Sequence, residues 1–173
     1  MIGVGEQAPA VDGVELRGRP TVLWFYKVTC STSQLAAPKA EMLAEAYPDS
    51  VVGVGEDPPQ ALEAFSEQFG MPSLRSVPDL EPFPASNAYD IDSVPTMFLV
   101  DADGRIDDVV QSWDREGYNR VSARLAELTG AGFVELPARG AAHADPADDV
   151  SPGRDRHAAN PKGNVWQGRV RHR

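Results

Sequence analysis

The run Thr21-Val-Leu-Trp-Phe-Tyr26 constrains this chain more than any other stretch. After its first residue it is wholly aliphatic and aromatic, with no polar alternation, which is the pattern of a strand buried on both faces. Such a strand needs a layer on each side, so the chain must supply helices or loops for both faces of a sheet. The strand runs into a turn, Lys27-Val-Thr29, which delivers the only cysteine, Cys30, and a helical pattern starts at once. At a helix N-terminus, unpaired N–H groups and the positive end of the dipole favour a thiolate over a thiol. Cys30 is therefore the candidate nucleophile, set against the plainer reading of a buried, inert thiol. A single cysteine leaves no internal disulfide.

The remaining pattern is that of an α/β chain. Gly5-Glu-Gln-Ala-Pro9 and Gly18-Arg-Pro20 bracket a short extended segment, Val11 to Leu16. Leu35, Ala36, Met42, Leu43, Ala46 and Tyr47 suit a helix over 31–47, capped by Ser31 or Thr32 and kinked at Pro38. Ser50-Val-Val-Gly-Val-Gly55 reads as a second buried strand. Glu56-Asp-Pro-Pro59 opens a helix that carries Leu62, Phe65 and Phe69 on one stripe and ends at Gly70. Residues 71–84 read as a proline-rich loop with one short strand near Leu74, and 85–89 as a short helix. Thr96 to Val100, the turn Asp101-Ala-Asp-Gly104 and Arg105 to Trp113 form a hairpin. Asp114 to Thr129 closes the pattern as a helix. The expected architecture is a three-layer sandwich, a central mixed sheet with helices on both faces.

From Ala131 onward periodicity stops. The expectation is one domain over 1–130 and a mostly disordered tail over 131–173, with Phe133-Val-Glu-Leu136 and Val165-Trp166 as the segments suited to docking. The net charge of −10 is unevenly spread: residues 152–173 carry +5 and the remainder −15. That balance argues against nucleic acid or an anionic membrane as partner of the main body. The first residues show neither a basic nor an apolar leader pattern, so a cytoplasmic setting is expected. No cofactor or metal is expected. Asp101 and Asp103 read as a hairpin turn more readily than as half a calcium loop, and His143, His157 and His172 are too scattered for ligands.

Four features together resemble the thioredoxin fold, in its redoxin and TlpA-like branch, over roughly residues 3–130. They are the strand–turn–Cys30–helix unit, Pro38 eight residues after Cys30, the Val94-Pro95-Thr96 loop, and the segments flanking it, Ala88-Tyr-Asp-Ile91 and Phe98-Leu-Val-Asp-Ala-Asp-Gly-Arg105. The resemblance implies that Val94-Pro95 is a cis-proline loop facing the cysteine, and that Thr29, Val94, Pro95 and Thr96 contact substrate. It also shows a departure. Ser33 stands where dithiol relatives carry the resolving cysteine, so the motif is C-x-x-S. Trp24 occupies the place of a buried acid or amide, and Lys27 that of the threonine of a peroxidatic site.

The expectation is then a monothiol thiol-disulfide oxidoreductase, active in redox homeostasis. Cys30 attacks a disulfide, a mixed disulfide or a peroxide, Ser33 hydrogen-bonds its thiolate, and Lys27 is either a helper that lowers its pKa or, more commonly for such a position, a solvated lysine at the strand end. Substrates are protein or low-molecular-weight thiols and disulfides, and an external thiol reductant resolves the adduct. The competing readings are a binding module of the same fold without turnover, and a dithiol enzyme whose resolving cysteine has been replaced by Ser33.

Overall fold

A computed structural model describes residues 1–137. The expectations placed on 138–173, among them the histidines, the basic stretch and Val165-Trp166, lie outside the described residues. Nine elements follow in chain order: β1 (Thr21–Tyr26), α1 (Ser31–Ala46), β2 (Val51–Gly55), α2 (Pro59–Phe69), β3 (Arg75–Pro78), α3 (Pro84–Ala88), β4 (Thr96–Val100), β5 (Ile106–Gln111) and α4 (Arg115–Thr129). The sheet order is β3-β2-β1-β4-β5. Parallel pairing joins β1 to β2 and β2 to β3, and antiparallel pairing joins β1 to β4 and β4 to β5. The sheet is mixed, and β1 lies at its centre.

All six residues of β1 are buried, as a strand covered on both faces requires. Alternation then divides them. Val22, Trp24 and Tyr26 enter a core shared with α1, α2 and α4, whereas Leu23 and Phe25 enter a second core. The connections β1-α1-β2 and β2-α2-β3 step the same way across the sheet, and right-handed crossovers therefore put α1 and α2 on one face. The opposite face is covered by α3 and the N-terminal residues, through Ala8, Val11, Leu16, Ala85 and Tyr89. Helices do lie on both faces, but unequally.

The extended segment expected at Val11 to Leu16 is not a strand. Val11 and Val14 make one bridge pair around Asp12-Gly13, and Gly13 takes a φ of 73° that closes the turn. Val11 and Leu16 are buried as a cover for the sheet, which explains their apolar character without a strand. Gly70 ends α2 in the left-handed conformation, at φ 62°. A β-carbon on Gly55 would come within 2.3 Å of Leu62 Cδ2, so this glycine is what allows α2 to close onto β2.

Beyond Gly130 the chain has no regular element, yet it returns to the first core. Leu136 is fully buried. Its N–H donates to Asn119 Oδ1 at 2.7 Å and its carbonyl accepts from Arg115 Nε at 3.0 Å. Val134 accepts from Ser122 Oγ at 2.6 Å, and the Tyr47 hydroxyl donates to the Ser122 carbonyl at 2.9 Å. Among the described residues no helix is long and apolar enough to cross a membrane.

Candidate active site

Cys30 stands between β1 and α1, where the turn closes with its N–H donating to the Lys27 carbonyl at 3.1 Å. The sequence pattern puts it just before a helix capped by Ser31 or Thr32. Instead Cys30 itself is the N-cap, in an extended conformation (φ −80°, ψ 119°), and no side chain caps the helix. Ser31 and Thr32 already lie inside the first turn, so their hydroxyls cannot occupy the capping position. The Cys30 carbonyl accepts the first helical bond, from Gln34 N–H at 3.0 Å. The sulfur is half-buried, open enough to be attacked or to attack.

Two environments meet at that sulfur. As a thiol, it donates to the Val94 carbonyl at 3.3 Å. As a thiolate, it is stabilised by the first turn of α1. Burial pushes its pKa up, but hydrogen bonds from the backbone N–H and hydroxyl of Ser33, then from those of Thr32, outweigh this and hold it below a thiol's ordinary value. Ser33 is fully buried, and its Oγ accepts the Lys27 N–H at 3.4 Å. With a lone pair taken by that N–H, the hydroxyl proton is free to point at the sulfur.

Lys27 is not among the groups that lower the thiol pKa, contrary to the helper reading of its position. Its ammonium lies 4.0 Å from Glu56 Oε2 and 5.8 Å from the centre of the Phe83 ring, so its charge is turned toward those groups. Trp24 is core: its ring stacks on Tyr26 at 4.5 Å, and its Nε1 donates to the Tyr118 hydroxyl at 3.0 Å. Burial in turn pushes the Tyr118 phenol pKa up, so Tyr118 stays a neutral partner.

The Val94–Pro95 peptide is cis, and the loop lies beside Cys30 with Val94 half-buried and Pro95 buried. The Pro95 carbonyl accepts from Ser112 N–H at 2.7 Å, which ties the loop to the end of β5. Thr29 is exposed next to the sulfur. Thr96 departs from the substrate-contacting role expected of it. It is fully buried in β4, and its Oγ1 donates to the Ser93 carbonyl at 2.7 Å, so it braces the loop from beneath.

Sequence reading passed over Glu56 and Asp57 as helix-opening residues. The structure brings them to the same end of the sheet as Cys30, because β1 and β2 are parallel and both run out there. Glu56 accepts from Ser86 Oγ at 3.0 Å as well as pairing with Lys27, and Asp57 Oδ2 accepts from Val28 N–H at 2.8 Å. The available signal was their place directly after a buried parallel strand, the edge where α/β sheets gather polar groups. Asp101 is spent on its own turn, its Oδ1 accepting from the N–H groups of Asp103 and Arg105.

Solved structures share this fold. The thioredoxin domain of a thiol-disulfide oxidoreductase from Bacteroides vulgatus matches 72% of this chain and 99% of its own, at 22% identity and a TM-score of 0.61. The fold is thioredoxin-like. MTB dsbF, solved in mixed oxidized and reduced forms, matches 65% of this chain and 83% of its own, at 27% identity and a TM-score of 0.56. A secreted Mycobacterium tuberculosis disulfide oxidoreductase homologous to E. coli DsbE matches 65% and 84%, at 24% identity and a TM-score of 0.54. No family model and no curated protein matches the sequence. The structural neighbours of this thioredoxin-like chain are thus thiol-disulfide oxidoreductases, and its Cys30 lies between the first turn of the helix after β1 and a cis-proline loop.

Proposed function

We propose that the protein exchanges thiols and disulfides through Cys30 alone. The observation that carries this reading is the sulfur's position: half-exposed, favoured as a thiolate by Ser33 and Thr32, and opposite the Val94 carbonyl. In the first step the Cys30 thiolate bonds to one sulfur of a substrate disulfide. The substrate S–S bond breaks, and the other sulfur leaves as a thiolate that solvent protonates. Loss of the thiol proton also removes the Sγ–H bond to Val94, leaving that carbonyl free to accept an N–H from an extended substrate backbone, as an added strand does.

The second step needs an outside thiol. Ser33 has no sulfur to offer, so the mixed disulfide cannot be resolved from within the chain. An external thiolate attacks the substrate sulfur of the adduct, a new disulfide forms between those two partners, and Cys30 departs as a thiolate. Its lowered pKa makes it a better leaving group, and leaves more of it as the thiolate, than an ordinary cysteine. Protein disulfides and low-molecular-weight mixed disulfides both fit the first step, and the reductant is an external thiol.

Incubation with oxidised glutathione, followed by intact mass measurement, tests the reading. One glutathione adduct should form on the wild-type protein and none on Cys30→Ser, and reduced glutathione should then release it. A Cys30 that gains no adduct, or gains one no faster than free cysteine does, overturns it. An adduct that forms and resists release points to the binding module without turnover.

A further inference from the structure

The turn that carries Cys30 is gripped by side chains from two other places in the chain. Consider the peptide group between Lys27 and Val28. Its N–H, on Val28, donates to Asp57 Oδ2 at 2.8 Å, and its carbonyl, on Lys27, accepts the Cys30 N–H at 3.1 Å. Asp57 and Cys30 therefore hold opposite ends of one amide. The next amide is held as well, since the Val28 carbonyl accepts from Gln34 Nε2 at 2.9 Å. With the planes on both sides of the Val28 α-carbon pinned, its backbone dihedrals have little room to drift.

Asp57 lies just past β2, and Gln34 lies in the first turn of α1. Neither side chain has a hydrogen bond to the sulfur. A carboxylate accepting from one end of an amide polarises it and strengthens the carbonyl at the other end as an acceptor, here for Cys30 N–H. The neighbouring amide, between Tyr26 and Lys27, sends its N–H to Ser33 Oγ at 3.4 Å. Rotation of the Lys27–Val28 amide would swing its carbonyl away from the Cys30 N–H and loosen the turn that sets the sulfur at the start of α1.

We propose that Asp57 and Gln34 are positioning residues for Cys30, holding the 27–30 turn so that the first turn of α1 can stabilise the thiolate. The proposal rests on the thiol chemistry read above, and it makes an unusual prediction about sign. If Asp57 acted on the sulfur through its charge alone, removing it would make the thiolate easier to form. If it acts by holding the turn, removing it makes the thiolate harder to form.

The test uses full-length Asp57→Ala, Asp57→Asn and Gln34→Ala, with ultraviolet thiolate absorbance across pH and the iodoacetamide alkylation rate near neutral pH. Asp57→Ala and Gln34→Ala should move the thiolate midpoint upward and slow alkylation by about threefold or more. Asp57→Asn keeps an oxygen acceptor for Val28 N–H and should alkylate within about twofold of wild type. Alkylation of Asp57→Ala at or above the wild-type rate overturns the proposal, as does an Asp57→Asn protein as slow as Asp57→Ala. Should Asp57→Ala fail to fold, Gln34→Ala decides, and an unchanged alkylation rate there overturns the proposal equally. Alkylation needs no disulfide substrate. A wild-type protein that forms no glutathione adduct would therefore sink the exchange reaction without touching this readout.

Discussion

Cys30 changes partners when it loses its proton: as a thiol it donates to Val94, and as a thiolate it is held by Ser33 and Thr32. A group whose pKa is lowered by folding stabilises the fold most above its unfolded pKa, and that contribution disappears as pH falls through the lowered value. The stability gap between the wild type and Cys30→Ala should therefore widen in favour of the wild type as pH rises into the ordinary thiol range. Urea unfolding under reducing conditions at several pH values checks this, and a gap that narrows with rising pH would contradict it. Ser33→Ala removes one donor to the thiolate together with the acceptor for Lys27 N–H. It should raise the Cys30 pKa, seen as slower alkylation near neutral pH. The placement of Cys30 at a helix start was legible because its setting is local: strand, turn and helix start are contiguous in the chain. The partners of Lys27 were not legible for the opposite reason, since Glu56 and Phe83, which engage its ammonium, are distant in sequence.

At the scale of elements, patterning worked where a segment's own residues decide its state. Both faces of β1 are apolar and both are buried, and Gly70 and Gly130 end α2 and α4 in left-handed conformations. It worked less well where an apolar segment covers a sheet without joining it, as at Val11 and Leu16. A polar residue on a buried helix face carries similar information. Glu41 on α1 is nearly covered, and its carboxylate accepts from Ser73 N–H at 2.9 Å and Leu74 N–H at 2.9 Å, fastening the loop between α2 and β3. Replacing Glu41 with Ala strands those donors and should cost about 1–3 kcal/mol in urea unfolding. Glu41→Gln, which keeps one oxygen acceptor, should recover part of the loss. Equal destabilisation by both variants would mean that the carboxylate's hydrogen bonds are not what matters there.

On the scale of the molecule, the last described residues complete the core: of the segment 133–136 suited to docking, Leu136 is buried whereas Phe133 stays exposed. Leu136 fills space among α1, α4 and the sheet, and the Tyr47 hydroxyl, Ser122 and Asn119 hold the segment leading to it. A fully buried leucine truncated to alanine leaves a cavity, so Leu136→Ala should cost about 2–5 kcal/mol. Ending the chain after Gly130 should lower the melting temperature, whereas ending it after Pro137 should leave this contact intact and lower it far less. Thermal unfolding of the two truncations separates these outcomes. If they melt alike, Leu136 adds nothing to the fold.

Sequence alone determined whatever depends on near neighbours along the chain: a central strand covered on both sides, a cysteine at the start of a helix, the turn and stop residues, and the absence of a second thiol. Tertiary structure decided which partners those groups meet. Val94, 64 residues beyond Cys30, turns its carbonyl to the sulfur, Asp57 comes from the neighbouring strand's end to hold the turn, and Thr96 is drawn underneath its loop. The physical reason is that strand pairing and register bring distant residues within hydrogen-bonding distance, and local propensity carries no record of that pairing.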